Sequence, residues 1–366
     1  MDAMLDKVVT VLARPNMALV KYWGKRRLGE ECEDPKLNLP LNSSFSITLD
    51  AGHELFTKTS IVFSERFERD TFYLDGKLQD MDNHELRERF LTIEKIRELA
   101  GVKTKALIVS VNSFPTASGL ASSASGLAAL VFAAAKALGI KASQEKLSEI
   151  ARIGSGSACR SLFGGFVVWE RGRSPDGTDS VARQAFGEDY WRDLSVMLCL
   201  TSQKKKKISS RTGMKQTVAT SELYRLRPEI AERRVIEIQR AVKKRDFDSM
   251  AEIIMADAMN MHATMLDTRP PIMYLNDISK DVIYAIEGLN EEKKRKVCAY
   301  TFDAGPHACI ICRKDDEKEV MDRLKGIEGI ERRIKAGIGA GPEVLQESDS
   351  LIDTGTLLPK KHKEAR

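Results

Sequence analysis

Residues 115–125, with the sequence PTASGLASSAS, decide which fold we expect, because this stretch joins a predicted strand to a long predicted helix. Gly119 permits a tight turn and a close approach of the backbone to a ligand. Small side chains leave the first helical turn open, and its free N–H groups and dipole favour an anion. The hydroxyls of Ser122 and Ser123 could hold phosphate oxygens or a Mg²⁺ ion. The stretch is equally typical of a serine-capped helix that is tightly packed through alanine, and it lacks the Gly-Lys-Ser/Thr of a Walker loop.

The rest of the chain shows both strand-like and helix-like patterns. Helices are expected at about residues 120–138, where Gly139 ends the helix, and at residues 144–153, after Ser143. Further helices are expected at residues 229–245, 247–266 and 316–326, and strands at residues 7–14, 45–49, 106–111, 165–170, 195–200, 297–302, 308–312 and 332–336. These elements predict an α+β chain of two halves, residues 1–200 and 201–366.

The composition is that of an ordinary globular protein. Of the 366 residues, 42% are apolar and 30% are charged, and the formal net charge is +5, which is too weak to indicate a nucleic-acid binder. No apolar run reaches the roughly 18 residues that cross a bilayer, and the first residues lack the pattern of a signal peptide. We therefore expect a cytoplasmic protein without a nucleic-acid or membrane partner. Its six cysteines are expected to be buried, reduced thiols.

Several stretches together resemble one known family. The pattern P-x-x-x-G-L-x-S-S-A at residues 115–124 resembles the signature loop of the GHMP kinase superfamily. Further stretches resemble the mevalonate diphosphate decarboxylase branch of that superfamily, and they are KYWGKR at 21–26, NLPLNSS at 38–44, GSGSACRSLFGG at 154–165 and YTFDAGP at 300–306. The similarity runs in order along nearly the whole chain.

The resemblance implies a GHMP kinase fold with an active-site cleft between the two halves. It implies the ATP-dependent conversion of mevalonate 5-diphosphate to isopentenyl diphosphate, ADP, phosphate and CO₂, a step of isoprenoid biosynthesis, with Mg²⁺ on the nucleotide. It also implies a homodimer. Hydroxide is a poor leaving group, so this chemistry requires phosphorylation of the C3 hydroxyl before the carboxylate can collapse to CO₂.

Three residues are expected to carry this chemistry. Asp303 lies in a Gly-Pro turn and alone is more typical of a turn former, but its match to the family motif indicates a carboxylate directed at the C3 hydroxyl, as base or as orienter. Lys21 could simply snorkel from an apolar stretch, yet it matches a lysine that stabilises the ionised aspartate and the transferring phosphate. Arg160 matches the arginine that holds the substrate carboxylate, with an interior salt bridge as the alternative.

The resemblance also implies which residues surround the phosphates of the substrate. The residues expected at the diphosphate are Tyr22, Lys25, Arg69, Ser155, Ser157 and Arg211. Asn16 is expected to orient Lys21 or a substrate oxygen. Each of these side chains could alternatively be a surface charge or a helix cap.

The nucleotide is expected to bind at the small-residue loop and at a basic run, residues 204–207. The residues expected at ATP are Asn112, Pro115, Ser118, Gly119, Leu120, Ala121, Ser122, Ser123, Lys205, Lys206 and Ser210. Ser122 is also expected to reach Mg²⁺ through the nucleotide. The two lysines match a pair that closes over the ATP phosphates as a lid, whereas most of the basic run is typical of a solvated loop.

Three other functions stay open from the sequence. The first is a decarboxylase of mevalonate 5-phosphate, although Arg69 and Lys25 favour the diphosphate. The second is a sugar or mevalonate kinase, against which the joint presence of Asp303, Lys21 and Arg160 argues. The third is a non-catalytic regulator or RNA-binding module that uses the basic run. His262 and His307 are expected to be structural or to support the residues that touch the substrate.

Overall fold

The computed structural model describes residues 5–29, 31–113, 122–201 and 207–360 of the chain. The strands within these residues are β1 (Val9–Ala13), β2 (Asn16–Val20), β3 (Ser44–Asp50), β4 (Thr57–Ser64), β5 (Thr71–Leu74), β6 (Lys77–Leu78), β7 (Lys105–Asn112), β8 (Phe166–Trp169), β9 (Ala182–Phe186), β10 (Leu194–Thr201), β11 (Cys298–Phe302), β12 (Ala308–Arg313), β13 (Ile330–Ile338) and β14 (Glu343–Val344). The helices are α1 (His84–Ala100), α2 (Ser122–Ala137), α3 (Gln144–Gly154), α4 (Ser210–Thr220), α5 (Arg227–Lys244), α6 (Phe247–Leu266), α7 (Asp277–Lys293) and α8 (Glu317–Lys325). A 3₁₀ helix, Gly156–Leu162, follows α3.

The strands form two sheets. The first sheet has six strands in the order β14-β1-β4-β7-β5-β6, and all of its pairs are antiparallel except β5 with β7. The second sheet has eight strands in the order β11-β12-β10-β13-β3-β8-β9, with β2 paired to β3. Strands from both sides of residue 200 therefore share the second sheet, and β14 carries the chain end back to the first.

Two large apolar cores hold the helices against the sheets. In the first core, alanines of α2 such as Ala128 and Ala133 are fully buried, which lets this helix pack closely against the strands of the first sheet. In the second core, α5, α6, α7 and α8 contribute apolar residues to the second sheet. Helix α6 packs against both β2 and β11, so it connects the ends of two strands that are remote in sequence.

The α+β class that we expect from the sequence is confirmed, and so are most of the expected elements. The helix expected at residues 247–266 has those bounds, and the side chain of Ser143 caps α3 by accepting a hydrogen bond from Lys146 N. Several elements were not expected, and they are the helices α1, α4 and α7 and the strands β2, β4, β6, β9 and β14. Helix α1 begins at an Asn83 cap and is rich in charged residues, so its apolar stripe is weak.

Two expectations from composition concern membranes and thiols. No helix in the described ranges is long and apolar enough to cross a membrane. All six cysteines are buried, and none forms a disulfide within the part of the chain that the structure describes. Burial raises the pKa of Cys159 and Cys199 to about 12, so both remain protonated thiols near neutral pH.

Gly165 offers a test of the packing between β8 and β9. Its φ of +72° lies in the left-handed region, and a Cβ there would stand 2.2 Å from the carbonyl oxygen of Phe186. We expect Gly165→Ala to reduce the free energy of unfolding by about 2–4 kcal/mol, measured by denaturant titration. Gly288, in the middle of α7 with open space around it, is the matched control. Gly288→Ala should leave stability unchanged or raise it by up to about 1 kcal/mol, and equal losses in both variants would contradict this account.

Candidate active site

A lysine and an aspartate that are 282 residues apart in sequence form an ion pair at the centre of the site. Lys21 directly follows β2, and Asp303 directly follows β11. Lys21 Nζ lies 2.8 Å from Asp303 Oδ1, and the Lys21 side chain is 2% exposed while that of Asp303 is 37% exposed. The ammonium is therefore enclosed, and the carboxylate reaches solvent, where a substrate could meet it. Such a pair is stronger than one on the surface because little water screens it.

Arg160 lies beside this pair in the 3₁₀ helix. It donates hydrogen bonds from Nε to Asn16 Oδ1 at 3.1 Å and from Nη1 to Ser44 Oγ at 2.8 Å. Its guanidinium carbon stands 5.7 Å from the centre of the Trp169 ring. Burial lowers the pKa of Arg160, and the negative charge of Asp303 acts in the opposite direction. The structure thus brings Arg160 within electrostatic reach of Asp303, and the two described bonds use two of its five N–H groups.

Asn16 is part of the support for Arg160. Besides accepting from Arg160, its side-chain amide donates to the carbonyl of Ser157 at 3.0 Å and to Ser161 Oγ at 2.7 Å. We expected Asn16 to orient Lys21 or a substrate oxygen, whereas its hydrogen bonds in the described residues run to Arg160 and the 3₁₀ helix. Ser44, the second support, lies in the quoted stretch at residues 38–44, but its role follows only from the folded contact.

His262, on α6, is a buried neutral neighbour of the central pair. Burial lowers its pKa to about 4, and the cation of Lys21 contributes in the same direction. Its ring lies edge-on to Phe302 with centroids 6.3 Å apart, and its Nε2 finds no hydrogen-bond partner among the residues that the structure describes. His307, which was considered together with His262, accepts a hydrogen bond on Nδ1 from Thr201 N at 3.1 Å.

A second group of predicted residues forms a cationic pocket next to Arg160. Arg211, in the first turn of α4, forms an ion pair with Glu88 of α1 and donates to the carbonyl of Gly154 at 3.4 Å. Burial lowers the pKa of Lys25 to about 8, the charge of Arg211 lowers it as well, and Glu88 opposes both. Two cations therefore lie close enough to repel each other, which is the electrostatic condition of an anion site.

Hydroxyl groups complete this pocket. Ser155 Oγ and Ser157 Oγ are 3.2 Å apart, immediately after α3. Tyr22 packs edge-on against Trp169 with ring centroids 4.7 Å apart, and its buried hydroxyl has no hydrogen-bond partner within the described ranges. Burial raises the pKa of Tyr22, so its hydroxyl stays a donor at neutral pH. An orphaned buried donor beside two cations fits an anionic ligand.

Arg69 is the predicted substrate residue that the structure does not bring into this pocket. It is exposed in the turn between β4 and β5 and forms no hydrogen bond or ion pair with any residue that is described. The adjacent Asp70 is instead tied to the fold, since it pairs with Arg97 and accepts a hydrogen bond from Ala106 N at 2.8 Å.

A cavity of about 340 Å³ lies between α1, β7 and the start of α2. Two residues expected at ATP, Asn112 and Ser123, line it together with apolar walls that include Phe72, Phe90 and Leu127. Ser210 begins α4 and is exposed. The remaining expected ATP residues lie outside the described residues, and they are Pro115, Ser118, Gly119, Leu120, Ala121, Lys205, Lys206 and the side chain of Ser122.

Glu88 and Ser44 are the site residues that sequence reasoning missed. Glu88 lies on α1, a helix that we did not expect, and only its contact with Arg211 reveals it. No group of three or more His, Cys, Asp or Glu side chains in the described part of the chain could hold a metal ion.

The two-sheet fold, with Lys21, Asp303 and Arg160 gathered at one site, is that of an enzyme of the GHMP kinase type. The family model for the diphosphomevalonate decarboxylase-like N-terminal domain matches residues 13–182, and that for the mevalonate 5-diphosphate decarboxylase C-terminal domain matches residues 196–350. A diphosphomevalonate decarboxylase from Candida albicans is 42% identical over 365 residues, which cover 93% of this chain and 98% of the relative. The chain therefore belongs to the diphosphomevalonate decarboxylase family.

Solved structures agree with this assignment. The mevalonate diphosphate decarboxylase from Trypanosoma brucei has a TM-score of 0.84 and 34% identity, covering 95% of this chain and 100% of that chain. A structure of MDDEF in complex with MVAPP, AMPPCP and magnesium has a TM-score of 0.80 and 36% identity, covering 93% of this chain and 99% of that chain.

The low pKa of Lys25 can be tested directly. We expect the Lys25 amine to titrate near pH 8 rather than near the ordinary 10.5, because burial and Arg211 disfavour the ammonium. Acetic anhydride pulse labelling between pH 6 and pH 11, read by mass spectrometry of the Lys25 peptide, measures the midpoint. Glu88→Gln removes the opposing negative charge and should move the midpoint lower still. A midpoint near 10.5 in the unaltered chain would show that the pocket is not electropositive.

Proposed function

We propose that this chain catalyses the ATP-dependent decarboxylation of mevalonate 5-diphosphate to isopentenyl diphosphate, with release of ADP, phosphate and CO₂. The observation that carries the proposal is the 2.8 Å contact of the buried Lys21 ammonium with Asp303, next to Arg160. Membership of the diphosphomevalonate decarboxylase family supports it. The reaction is a step of the mevalonate pathway to isoprenoids.

Asp303 and Lys21 act on the C3 hydroxyl of the substrate. ATP, bound with Mg²⁺, supplies the phosphoryl group that turns this hydroxyl into a good leaving group. The Asp303 carboxylate orients the hydroxyl or accepts its proton, since its exposed end faces solvent while its Oδ1 lies against the Lys21 ammonium. The Lys21 ammonium also offsets negative charge that develops near C3 as the phosphoryl group arrives and as phosphate departs.

Arg160 holds the carboxylate that becomes CO₂. Asn16 and Ser44 fix its guanidinium, and the N–H groups that they leave can donate to a carboxylate in parallel. Because the carboxylate loses its charge as CO₂ forms, a tighter hold would not lower the barrier by itself. The benefit is orientation, which keeps the breaking carbon–carbon bond in line with the departing phosphate.

The cationic pocket binds the diphosphate tail. Lys25 and Arg211 supply the charge, and the hydroxyls of Tyr22, Ser155 and Ser157 supply donors whose positions the fold already fixes. Arg69 stays in the proposed set on the family resemblance alone, because its exposed turn lies outside this pocket. The repulsion between the two cations favours a ligand with several negative charges, which supports a diphosphate over a monophosphate.

The cavity between α1, β7 and α2 accepts the nucleotide base. Its volume of about 340 Å³ and its apolar walls suit a flat aromatic ring, and Asn112 and Ser123 offer polar groups at its rim. The proposal keeps Pro115, Ser118, Gly119, Leu120, Ala121 and Ser122 as the phosphate loop, with Ser122 toward Mg²⁺. It keeps Lys205, Lys206 and Ser210 as the groups that cover the phosphates.

The proposal extends to the organisation of the active enzyme. We propose a cytoplasmic homodimer, for which the family resemblance is the support. We also propose two domains, residues 1–200 and 201–366; two separate family models, matching residues 13–182 and 196–350, support the division into two, with the junction a few residues earlier.

The substitution Asp303→Asn tests the function. It keeps the shape of the side chain but cannot take a proton or hold Lys21 by charge, so we expect CO₂ release to fall by about 10²–10⁴-fold. Carboxyl-labelled mevalonate 5-diphosphate measures CO₂, and a coupled assay measures ADP. Binding of an ATP analogue should change by less than about twofold. The exposed Asp176→Asn is the matched control. An unaltered chain that accumulates ADP without releasing CO₂ would overturn the proposal in favour of a kinase.

The substitution Arg160→Gln tests the carboxylate anchor. Glutamine can keep one hydrogen bond but loses the parallel pair and the charge, so we expect kcat to fall by about 10²-fold, in line with lost orientation. Steady-state kinetics with mevalonate 5-diphosphate give kcat and KM separately. The exposed Arg183→Gln, on β9, should behave like the unaltered chain. Normal turnover in Arg160→Gln would remove this residue from the site.

A further inference from the structure

Lys21, whose side chain contacts Asp303, is the first residue after the hydrogen-bonded part of β2. The last ladder pair of β2 joins Val20 to Phe45, with an irregularity between Ala18 and Val20. The N–H and C=O of Lys21 are therefore beyond the ladder, in a place where water is excluded. Buried peptide groups need other partners, and those partners determine where the lysine side chain starts.

Two charged side chains from different helices supply these partners. Lys21 N donates to Asp257 Oδ2, on α6, at 2.7 Å. Arg227 Nη2, at the start of α5, donates to the carbonyl of Lys21 at 2.9 Å, and Asn42 Nδ2 donates to the same carbonyl at 2.9 Å. The backbone N–H and C=O of Lys21 are thus both held by side chains rather than by a neighbouring strand.

Asp257 and Arg227 are also paired with each other. Arg227 donates from Nη1 to Asp257 Oδ1 at 2.6 Å and from Nη2 to Oδ2 at 2.8 Å, and both side chains are 0% exposed. Arg234 adds a hydrogen bond to Asp257 Oδ1 at 3.1 Å. The bidentate geometry fixes the Arg227 guanidinium relative to the Asp257 carboxylate. The backbone N–H and C=O of Lys21 are therefore held by two side chains that cannot move independently.

We propose that Asp257 and Arg227 are positioning residues that fix the backbone of Lys21 and thereby hold its ammonium against Asp303 during turnover. The inference rests on the proposed function, since it assigns Lys21 and Asp303 to that reaction. A buried ion pair adds little stability compared with apolar residues of the same size, so stability alone does not explain this one. The hydrogen bonds of this ion pair to the Lys21 backbone fix the position of the Lys21 Cα. A long, flexible lysine side chain can place its ammonium reproducibly at Asp303 only when its Cα is fixed.

The alternative is that the pair merely anchors α5 and α6 to β2. The two possibilities differ in what happens to Asp303. If Lys21 is displaced, the carboxylate loses its cation and becomes protonated at a higher pH. Among the described residues, Arg160 of the 3₁₀ helix, His262 of α6 and Cys309 of β12 also face Asp303, and the substitution leaves these three in place.

The test uses Arg227→Lys, which keeps a positive charge for Asp257 but loses the guanidinium bond to the Lys21 carbonyl. We expect kcat to fall about 10–100-fold, KM for ATP to change less than about threefold, and the acidic limb of the kcat/KM profile to move up by about one pH unit. Arg234→Gln is the matched control, because Arg234 contacts Asp257 without touching Lys21. In Arg234→Gln, the acidic limb of the kcat/KM profile should stay at the same pH as in the unaltered chain. A uniform loss of activity in Arg227→Lys with an unmoved limb would overturn the inference.

A second measurement needs no variant and remains available if Arg227→Lys does not fold. Hydrogen exchange of the unaltered chain, read at single-residue resolution, should show the Lys21 amide as protected as those of β2, since its proton is donated to a buried carboxylate. Exchange at the rate of an exposed loop would overturn the inference. Failure of the unaltered chain to decarboxylate mevalonate 5-diphosphate would instead refute the proposed function, so the two failures are distinguishable.

Discussion

The site depends on an enclosed ammonium, that of Lys21, and on the carboxylate that lies against it. Lys21 is almost fully buried, and an isolated charge there would be strongly unfavourable. Asp303 supplies the opposite charge at 2.8 Å, and its carboxylate also meets solvent. Separating the two would leave a buried charge uncompensated, which typically costs about 3–5 kcal/mol. Electrostatics therefore fixes the end of β2 relative to the end of β11, in addition to apolar packing.

Helix α6 makes this contact possible, because it packs against both strands. Asp257, near its middle, holds the backbone of Lys21, and His262, further along, lies beside the ion pair. The pKa of His262 falls to about 4, so the imidazole is neutral at physiological pH and places no second cation next to Lys21. Helix α6 thus fixes the backbone of Lys21, places an uncharged imidazole beside the ion pair and contributes apolar residues to the second core.

Local patterns predicted much of the fold, and contacts between distant residues account for what they missed. Helix α6 was expected with its observed bounds because it is rich in apolar residues, whereas α1 is mostly charged and is held by tertiary packing. Lys21, Asp303 and Arg160 could be expected because their motifs are local and resemble a family. Glu88 and Asp257 could not, because nothing near them in sequence indicates that they contact Arg211 and the Lys21 backbone.

The cationic pocket carries more positive than negative charge, which favours a ligand with several negative charges. Arg211 already has a partner in Glu88, yet burial and Arg211 outweigh that carboxylate at Lys25, whose pKa falls to about 8. A multiply charged anion would relieve the repulsion at both cations at once, and a singly charged one would relieve less. An anion next to Lys25 raises the pKa of its amine, so binding above pH 8 draws a proton into the pocket. Binding and protonation therefore support each other, and the pocket gains most from a ligand as highly charged as a diphosphate.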